Sequence, residues 1–376
     1  ASLAARLGVT DRHLRRVFEA EFGVTPIAYA QTARLLLAKR LLTDTAMPVT
    51  DVAMAAGFGS LRRLNALFAQ RYRLSPSALR SARGERPLDH HAFRLHTREP
   101  FDFAALLRFY QVRAVAGVEA ADARTYRRTL ALGFGDARTA AGWIEVRRAP
   151  RGASVEVRVD ARLASAIPRV LAACKHAFDL DCRPDEVLAA LGELARPRPG
   201  LRLPGAFDAF ELGVRAILGQ RVTVRAARTL AQRLVQRFGT PIETPFAALD
   251  RLFPDAPRVA AAKPAQIAEL GVVEQRAHTL VSFARAVADG RVRLDPTADV
   301  ESALAALRAL PGIGEWTAHY IAMRALHWPD AFPPGDAGVL KALGGTRAGA
   351  LAQAERWRPW RAYAVMHLWH SLEKPR

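Results

Sequence analysis

The chain has 376 residues, half of them hydrophobic, and its 55 Lys and Arg against 36 Asp and Glu give a net charge of +19. This length predicts two or three domains with real cores, and a globular protein this basic usually binds a polyanion, most often nucleic acid. Its two cysteines, Cys174 and Cys182, exclude a four-cysteine zinc or iron–sulfur site within the chain. We find no signal-peptide pattern and no apolar run long enough to span a membrane, and we expect a cytoplasmic protein.

Residues 1–88 predict two helix–turn–helix units joined by a long helix over residues 26–42. In the first unit, residues 2–7 precede a turn at Gly8 and a helix over residues 11–21. In the second unit, residues 52–58 precede a helix over residues 60–70. Gly8 suits the turn, and Thr10 or Asp11 can cap the helix that follows it.

The Gly57-Phe58 pair and the run from Phe22 to Pro26 make this segment resemble the AraC-type DNA-binding domain. The resemblance implies that the second helix of each unit enters the major groove of promoter-like DNA. The candidate contact residues are Arg12, His13, Arg15 and Arg16, and then Ser60, Leu61, Arg62, Arg63 and Asn65. The alternative for any one of these arginines is a solvated basic face. Since the chain begins inside the first unit, we expect a truncated N-terminus.

The next part of the chain predicts an α+β subdomain. A polar, proline-containing segment over residues 82–95 is interpreted as a linker. Alternating apolar and polar residues then predict antiparallel strands over residues 111–119, 125–132, 142–148 and 154–159. Helical patterns follow over residues 167–178 and 184–194, and from residue 185 onward the chain is almost entirely helical.

The stretch from Leu310 to Asp336 carries the most specific pattern. Gly312 and Gly314 form a tight turn, and the helical pattern that follows exposes backbone N–H groups suited to a phosphate. Trp316 and Tyr320 are four residues apart and share one helix face. Asp336 follows two prolines and a glycine, where it can also serve as an ordinary helix N-cap. Taken alone, the glycine turn could be a simple junction of two helices.

The order of helix, glycine-rich hairpin, helix and loop aspartate resembles the helix–hairpin–helix superfamily of base-excision DNA glycosylases. Residues 200–229, 310–320 and 355–369 resemble the AlkA family of that superfamily, and the resemblance covers roughly residues 91–376. It implies a mainly α, multidomain fold. The expected domains are an AraC-type domain over residues 1–88, an AlkA-like α+β subdomain over 89–184 and a helix–hairpin–helix glycosylase domain over 185–376.

The resemblance also implies a chemistry. An alkylated purine of the 3-methyladenine or 7-methylguanine type is flipped out of double-stranded DNA into a pocket formed by Trp316, Tyr320 and Trp369. An aromatic face favours such a cationic base by about 0.5–2 kcal/mol, and the cation leaves without a general acid. Asp336 is the catalytic residue, either stabilising the sugar cation by charge or deprotonating the attacking water.

Further implied contacts surround the hairpin. The N–H groups of Gly312, Ile313 and Gly314 would bind the DNA backbone. No cofactor is required, but a sodium ion could bind the backbone carbonyls of Arg308, Leu310 and Ile313. Gln220 is also implied in DNA binding, and it is followed by Arg221 where the family has an apolar wedge. This departure leaves open whether Arg221 fills the gap of the flipped nucleotide.

Family members that also cleave the strand use a lysine two residues after the second hairpin glycine, and here Trp316 holds that position. We therefore expect no lyase activity. One alternative is a regulator of the adaptive response to alkylation, whose C-terminal half senses damage without turnover. Another is a glycosylase for deaminated or oxidised bases. We expect a bacterial, nucleoid-associated monomer.

Overall fold

A computed structural model describes residues 3–45, 47–81, 89–134, 138–295 and 297–372. By contacts between residues, the chain divides into two compact units, residues 1–92 with 160–168, and residues 93–159 with 169–376. The predicted domain limits at residues 88 and 184 stay predictions. The first half of the predicted linker, residues 82–88, lies outside the described residues.

The N-terminal unit contains the two predicted helix–turn–helix pairs. Its helices are α1 (Leu3–Arg6), α2 (Asp11–Phe22), α3 (Pro26–Asp44), α4 (Val49–Ala55), α5 (Leu61–Tyr72) and α6 (Pro76–Ser81). Thr10 caps α2 by accepting a hydrogen bond from the His13 N–H at 3.2 Å, and Ser60 caps α5 in the same way. Gly8 and Gly57 both have positive φ, which suits glycine at the turn of each pair.

The second helices of the two pairs, α2 and α5, differ in how they are packed. Helix α5 buries Leu64 and Phe68, whereas α2, described over its whole length, has no buried side chain. Instead, Phe18, Phe22 and Tyr29 contact one another, with ring centroids 4.5–5.7 Å apart. The first pair therefore depends on partly exposed aromatic contacts, and the second has a true core.

A five-stranded sheet follows in the order β1-β5-β4-β3-β2. The central strands β3 and β4 pair antiparallel, with Thr125 opposite Arg147 and Phe134 opposite Arg138. The elements of this region are β1 (His90–His96), α7 (Phe103–Arg113), β2 (Glu119–Ala121), β3 (Thr125–Phe134), β4 (Arg138–Arg148), β5 (Ser154–Asp160), a 3₁₀ helix (Ala161–Ala166), α8 (Ile167–Ala177), α9 (Pro184–Leu191) and a 3₁₀ helix (Gly192–Leu194). The antiparallel α+β arrangement is confirmed.

The strand predicted over residues 111–119 is wrong. Its first three residues end helix α7, which starts at the Asp102 N-cap and buries Phe103, Leu106 and Tyr110 at helical spacing. The alternation in this segment comes from the helix end and the turn after it. The linker prediction is also wrong at its end, because β1 begins at His90 and buries every second residue.

The remainder is helical, as predicted, apart from a small ribbon of two-residue strands. Its elements are α10 (Ala209–Leu218), α11 (Val224–Phe238), β6 (Thr240–Pro241), β7 (Arg251–Leu252), α12 (Ala256–Ala260), α13 (Pro264–Ala268), α14 (Glu274–Ala288), α15 (Val300–Arg308), α16 (Glu315–Arg324), α17 (Ala337–Leu343), α18 (Arg347–Ala354), a 3₁₀ helix (Glu355–Trp357) and α19 (Arg361–Ser371). Within the described ranges, no helix is both long and apolar enough to cross a membrane.

Two hydrophobic clusters position the hairpin and the aspartate. Helices α10, α14 and α16 pack with other helices in one cluster, where a Cβ at Gly213 would lie 2.2 Å from the Phe283 ring. This glycine therefore sets how closely α10 approaches α14. Helices α17 and α19 pack in the second cluster with α9. The two clusters meet where α16 faces the start of α17.

Candidate active site

The hairpin between α15 and α16 is held against α14 by a close backbone approach. Gly312 has a φ of 84°, and a Cβ there would lie 2.1 Å from the Thr279 hydroxyl, so only glycine fits. Gly314 has open space around it. Among the described residues, the N–H groups of Gly312 and Gly314 have no partner, while the Ile313 N–H donates to the Leu310 carbonyl at 3.1 Å. Two of the three predicted backbone donors are therefore available to a ligand.

Gln220 lies beside this hairpin and is bound to it. Its Nε2 donates to the Gly312 carbonyl at 2.9 Å and to the Thr317 hydroxyl at 3.0 Å. Arg276 in turn donates to the Gln220 carbonyl at 2.7 Å. These bonds fix the loop after α10 to the hairpin turn.

Arg221, the candidate wedge, is exposed and has a φ of 53°, which is uncommon for a residue other than glycine. The next residue, Val222, is also partly exposed and lines the cavity described below. Arg221 and Val222 therefore expose a charged and an apolar side chain on the same loop. The assignment of Arg221 as the wedge stays a prediction.

Asp336 ends the loop before α17 and accepts three hydrogen bonds. Its Oδ1 accepts from the Val339 N–H at 2.9 Å, which makes it the N-cap of α17, and from Trp369 Nε1 at 2.8 Å. Its Oδ2 accepts from Trp316 Nε1 at 2.8 Å. Asp336 as a whole residue is only 8% exposed. Two indoles from different helices therefore orient one buried carboxylate.

Gly338 makes this arrangement possible. A Cβ at position 338 would lie 2.9 Å from Cδ1 of Trp369 and 3.1 Å from Oδ1 of Asp336. A larger residue would thus displace the indole or the carboxylate. Gly338 could not be singled out from the sequence, because the indole that it contacts belongs to Trp369, 31 residues further along the chain.

The aromatic side chains surround a cavity of about 310 Å³ next to Asp336. Trp316 and Tyr320 are stacked, with centroids 5.2 Å apart and planes 14° apart, as their spacing on one helix face predicts. Trp369 lies opposite, with its centroid 6.3 Å from that of Tyr320. This volume is at the small end of the range for small-molecule sites. The structure brings Trp316, Tyr320, Asp336 and Trp369 together in one site.

Comparisons with known proteins agree with this architecture. Models of the helix-turn-helix domain, the AlkA N-terminal domain and the HhH-GPD superfamily of base excision DNA repair proteins match residues 3–82, 92–208 and 214–354. The "Probable bifunctional transcriptional activator/DNA repair enzyme AlkA" of Mycobacterium tuberculosis is 36% identical over 394 residues, covering 100% of this chain and 77% of that protein. "DNA-3-methyladenine glycosylase 2" of Escherichia coli is 38% identical over 281 residues, covering 74% of this chain and 97% of that protein.

The chain belongs to the AlkA family. The resemblance recognised in the sequence is thereby confirmed. The solved structure of a 3-methyladenine DNA-glycosylase from Archaeoglobus fulgidus has a TM-score of 0.61 at 21% identity, covering 74% of this chain and 97% of that one. This likeness supports the same fold for the C-terminal part.

Four arginines also line the cavity of this AlkA family member, and none of them was predicted from the sequence: Arg113, Arg215, Arg228 and Arg324. Arg215 forms ion pairs with Glu119 at 2.6 Å and with Glu211 at 2.9 Å. Because Glu119 begins β2, the sheet subdomain supplies a carboxylate that holds a guanidinium at the cavity. Its packing against the helical part therefore shapes the site.

Arg324 is held differently. Its guanidinium donates to the carbonyls of Pro204 and Gly205 at 2.8 and 3.1 Å and to the Tyr320 hydroxyl at 2.9 Å. It is only 6% exposed, and no carboxylate in the described ranges forms an ion pair with it. Arg324 follows Tyr320 by four residues and Trp316 by eight, so helical periodicity could have identified it.

This guanidinium changes the acidity of Tyr320. Burial alone would raise the pKa of Tyr320, but the positive charge and hydrogen bond of Arg324, with more distant charges at Arg113 and Arg215, lower it below its usual value. The phenol is therefore more acidic than an ordinary buried tyrosine.

The predicted DNA-contact arginines of the N-terminal unit all lie on exposed helix faces. Arg12, Arg15 and Arg16 are exposed on α2, and Arg62 and Arg63 are exposed on α5. Arg16 Nη2 lies 3.4 Å from His13 Nδ1. Their exposure is compatible with DNA contact, and their roles stay predictions.

Proposed function

We propose that this chain is a monofunctional DNA glycosylase that flips alkylated purines out of double-stranded DNA and hydrolyses the N-glycosidic bond. The observation that carries this proposal is the Asp336 carboxylate, which Trp316 and Trp369 orient beside an aromatic cavity. The names of its relatives in M. tuberculosis and E. coli support the same class of reaction.

The hydrogen bonds on Asp336 indicate which oxygen acts. An ionised carboxylate has about four acceptor positions. Among the described residues, Oδ1 accepts two N–H groups, whereas Oδ2 accepts only the one from Trp316. The remaining position on Oδ2 can therefore face the reacting sugar or its water. A carboxylate with three fixed donors needs no reorganisation as positive charge develops on the sugar, which favours charge stabilisation as its main role.

The cavity suits a planar base better than a sugar. Its walls are the rings of Trp316, Tyr320 and Trp369, and the base reaches them only when the nucleotide leaves the stack. A base alkylated at N3 or N7 is positively charged and departs readily once Asp336 stabilises the sugar. The hairpin N–H groups of Gly312 and Gly314 would hold the neighbouring backbone phosphate during this step.

The absence of strand cleavage is part of the proposal. The position of a Schiff-base lysine is occupied by Trp316, and within the described residues no lysine lines the cavity. An imine with the opened sugar would need an amine at this place. Borohydride should therefore trap no covalent complex.

We propose that the hairpin carbonyls bind a monovalent cation. The Leu310 carbonyl accepts one hydrogen bond from Ile313, which leaves its second lone pair, and the other proposed ligands are the carbonyls of Arg308 and Ile313. The described residues contain no cluster of His, Cys, Asp or Glu that would hold a transition metal. Neutral oxygen ligands suit a hard ion such as sodium, which would strengthen phosphate binding there.

The decisive experiment measures base release from methylated duplex DNA by the wild type and by Asp336→Asn. Asparagine can still cap α17, so the variant should fold and bind the lesion. Its excision rate should fall by about 10²–10⁴-fold. Near-native turnover by a folded Asp336→Asn protein would refute the assignment.

A second function, DNA-sequence recognition by the N-terminal unit, is supported by its two capped recognition helices with exposed arginines. We propose that this unit binds promoter-like DNA and that the chain acts as a monomer. Footprinting with Arg62→Ala and Arg63→Ala tests the first point, since both changes should weaken a specific footprint without changing base release. An unchanged footprint would remove these arginines from the interface.

A further inference from the structure

The cavity contains a hydrogen-bond donor that excision of a cationic base does not use. The Tyr320 hydroxyl accepts a hydrogen bond from Arg324 at 2.9 Å, so its own proton is available to another acceptor. Tyr320 lines the cavity, and its neighbour Arg324 lines it as well. The phenol proton is therefore free to bind a group that enters the cavity.

The position of this donor relative to Asp336 defines what it can reach. Along α16, Trp316 contacts Asp336, Tyr320 lies about 6 Å further along the helix axis and Arg324 about 12 Å further. If the sugar is at Asp336, the edge of the purine remote from the sugar extends towards Tyr320. That edge carries the acceptors N7 and O6 of a neutral purine such as hypoxanthine.

The polar groups around the cavity also suit a neutral base that accepts a hydrogen bond. Arg324, Arg113, Arg215 and Arg228 line it, and Asp336 is the carboxylate among its described lining residues. The charge of Arg215 is offset by its ion pairs with Glu119 and Glu211, and a cationic base gains from the aromatic faces. A neutral base with an exposed acceptor gains a hydrogen bond instead, and it requires protonation to leave.

We propose that Tyr320 is a catalytic proton donor for neutral purine lesions, with Arg324 as the positioning residue that stabilises its phenolate. This rests on the glycosylase function proposed above. As the bond between C1′ and N9 breaks, its electron pair moves to the base, and the Tyr320 proton moves to the acceptor on the remote edge. Water adds to C1′ and releases a proton, and solvent returns a proton to the Tyr320 phenolate beside Arg324.

The test compares single-turnover excision of hypoxanthine and of 7-methylguanine from duplexes of identical sequence. Tyr320→Phe keeps the ring and removes the proton. It should slow release of hypoxanthine by about 100-fold or more, in the range of general acid catalysis, and should slow release of 7-methylguanine much less. Tyr110→Phe is the matched control, because Tyr110 is a buried tyrosine outside this cavity whose hydroxyl donates to the Ala177 carbonyl.

The pH profile separates proton donation from packing. A donor must be protonated, so hypoxanthine excision should fall as the pH rises through the pKa of Tyr320, and this alkaline limb should be absent with Tyr320→Phe. Site-specific replacement of Tyr320 by difluorotyrosine, a more acidic ring of similar shape, should move the limb to lower pH. Arg324→Gln should move it to higher pH, because it removes the charge that lowers the pKa of Tyr320.

Equal losses on both substrates with Tyr320→Phe, or an alkaline limb that fluorination does not move, would overturn the role of Tyr320. If Tyr320→Phe does not fold, the pH profile of the difluorotyrosine protein alone tests whether Tyr320 donates the proton. Failure of the glycosylase function itself would look different, because the wild type would then release neither base.

Discussion

Replacing Gly338 by alanine should separate the stability of this protein from its activity. Gly338 is the second residue of α17, where alanine is the better helix former by up to about 1 kcal/mol. Helix propensity alone therefore predicts a slightly more stable protein. The site predicts a slower enzyme, because the new Cβ would lie 2.9 Å from Cδ1 and 3.2 Å from Nε1 of Trp369.

The expected decrease in the excision rate of Gly338→Ala can be estimated from the loss of one hydrogen bond. The contact displaces the Trp369 indole, which now donates to Asp336 Oδ1 at 2.8 Å. A hydrogen bond to a charged group contributes about 1.5–3 kcal/mol. At 1.36 kcal/mol for each tenfold change in rate, its complete loss from the transition state corresponds to about a 10- to 150-fold slower excision.

The assay is single-turnover release of 7-methylguanine, measured beside urea unfolding of the same variants. Gly349→Ala is the matched control, because Gly349 also lies in the first turn of a helix, and a Cβ there meets the Thr346 hydroxyl at an ordinary 3.5 Å. This control should leave excision unchanged. Trp369→Phe removes the same hydrogen bond, so its effect and that of Gly338→Ala should not add in the double variant.

A Gly338→Ala protein that excises at the wild-type rate would refute the reasoning, since the Trp369–Asp336 bond would then have no part in catalysis. Additive effects in the double variant would also contradict it. A large loss of stability would mean that the contact is relieved by the backbone of α17 rather than by the indole.

Three further predictions follow from the same site and from the charge of the chain. Arg221→Ala should slow excision most for stably paired lesions and little for mismatched ones, and Arg221→Leu should restore duplex excision; equal small losses on both substrates would remove Arg221 from the wedge role. Binding to undamaged duplex should weaken steeply with salt, and deleting residues 1–88 should lower the log–log slope while base release stays measurable, because both parts of the chain are basic. Burial and the nearby charge of His370 lower the pKa of His367 to about 4, so the contribution of His367 to stability is complete above pH 6.5 and is lost as the pH falls towards 4. Relative to His367→Gln, the wild type should lose about 2 kcal/mol of unfolding free energy between pH 7 and pH 5. Parallel curves of unfolding free energy against pH for the two proteins would contradict this prediction.

Local features of this protein were readable from its sequence because the physics behind them acts over a few residues. The Trp316–Tyr320 stack follows from their spacing of four on one helix. The N-cap at Asp336 and the glycine turn at Gly312 follow from backbone geometry. The repeated helix–turn–helix pattern was readable for the same reason, whereas the segment over residues 111–119 was misread because a helix end and a turn can imitate alternation.

Contacts between distant elements were decided by the tertiary structure. Trp369 was placed in the site only through the family resemblance, and its bond to Asp336 depends on how α19 packs against α17. The four cavity arginines come from α7, α10, α11 and α16, and the side chain of Gln220 turns towards the hairpin. Periodicity and composition describe which face of an element is apolar. They do not encode which faces meet, because that depends on close packing among residues far apart in the chain.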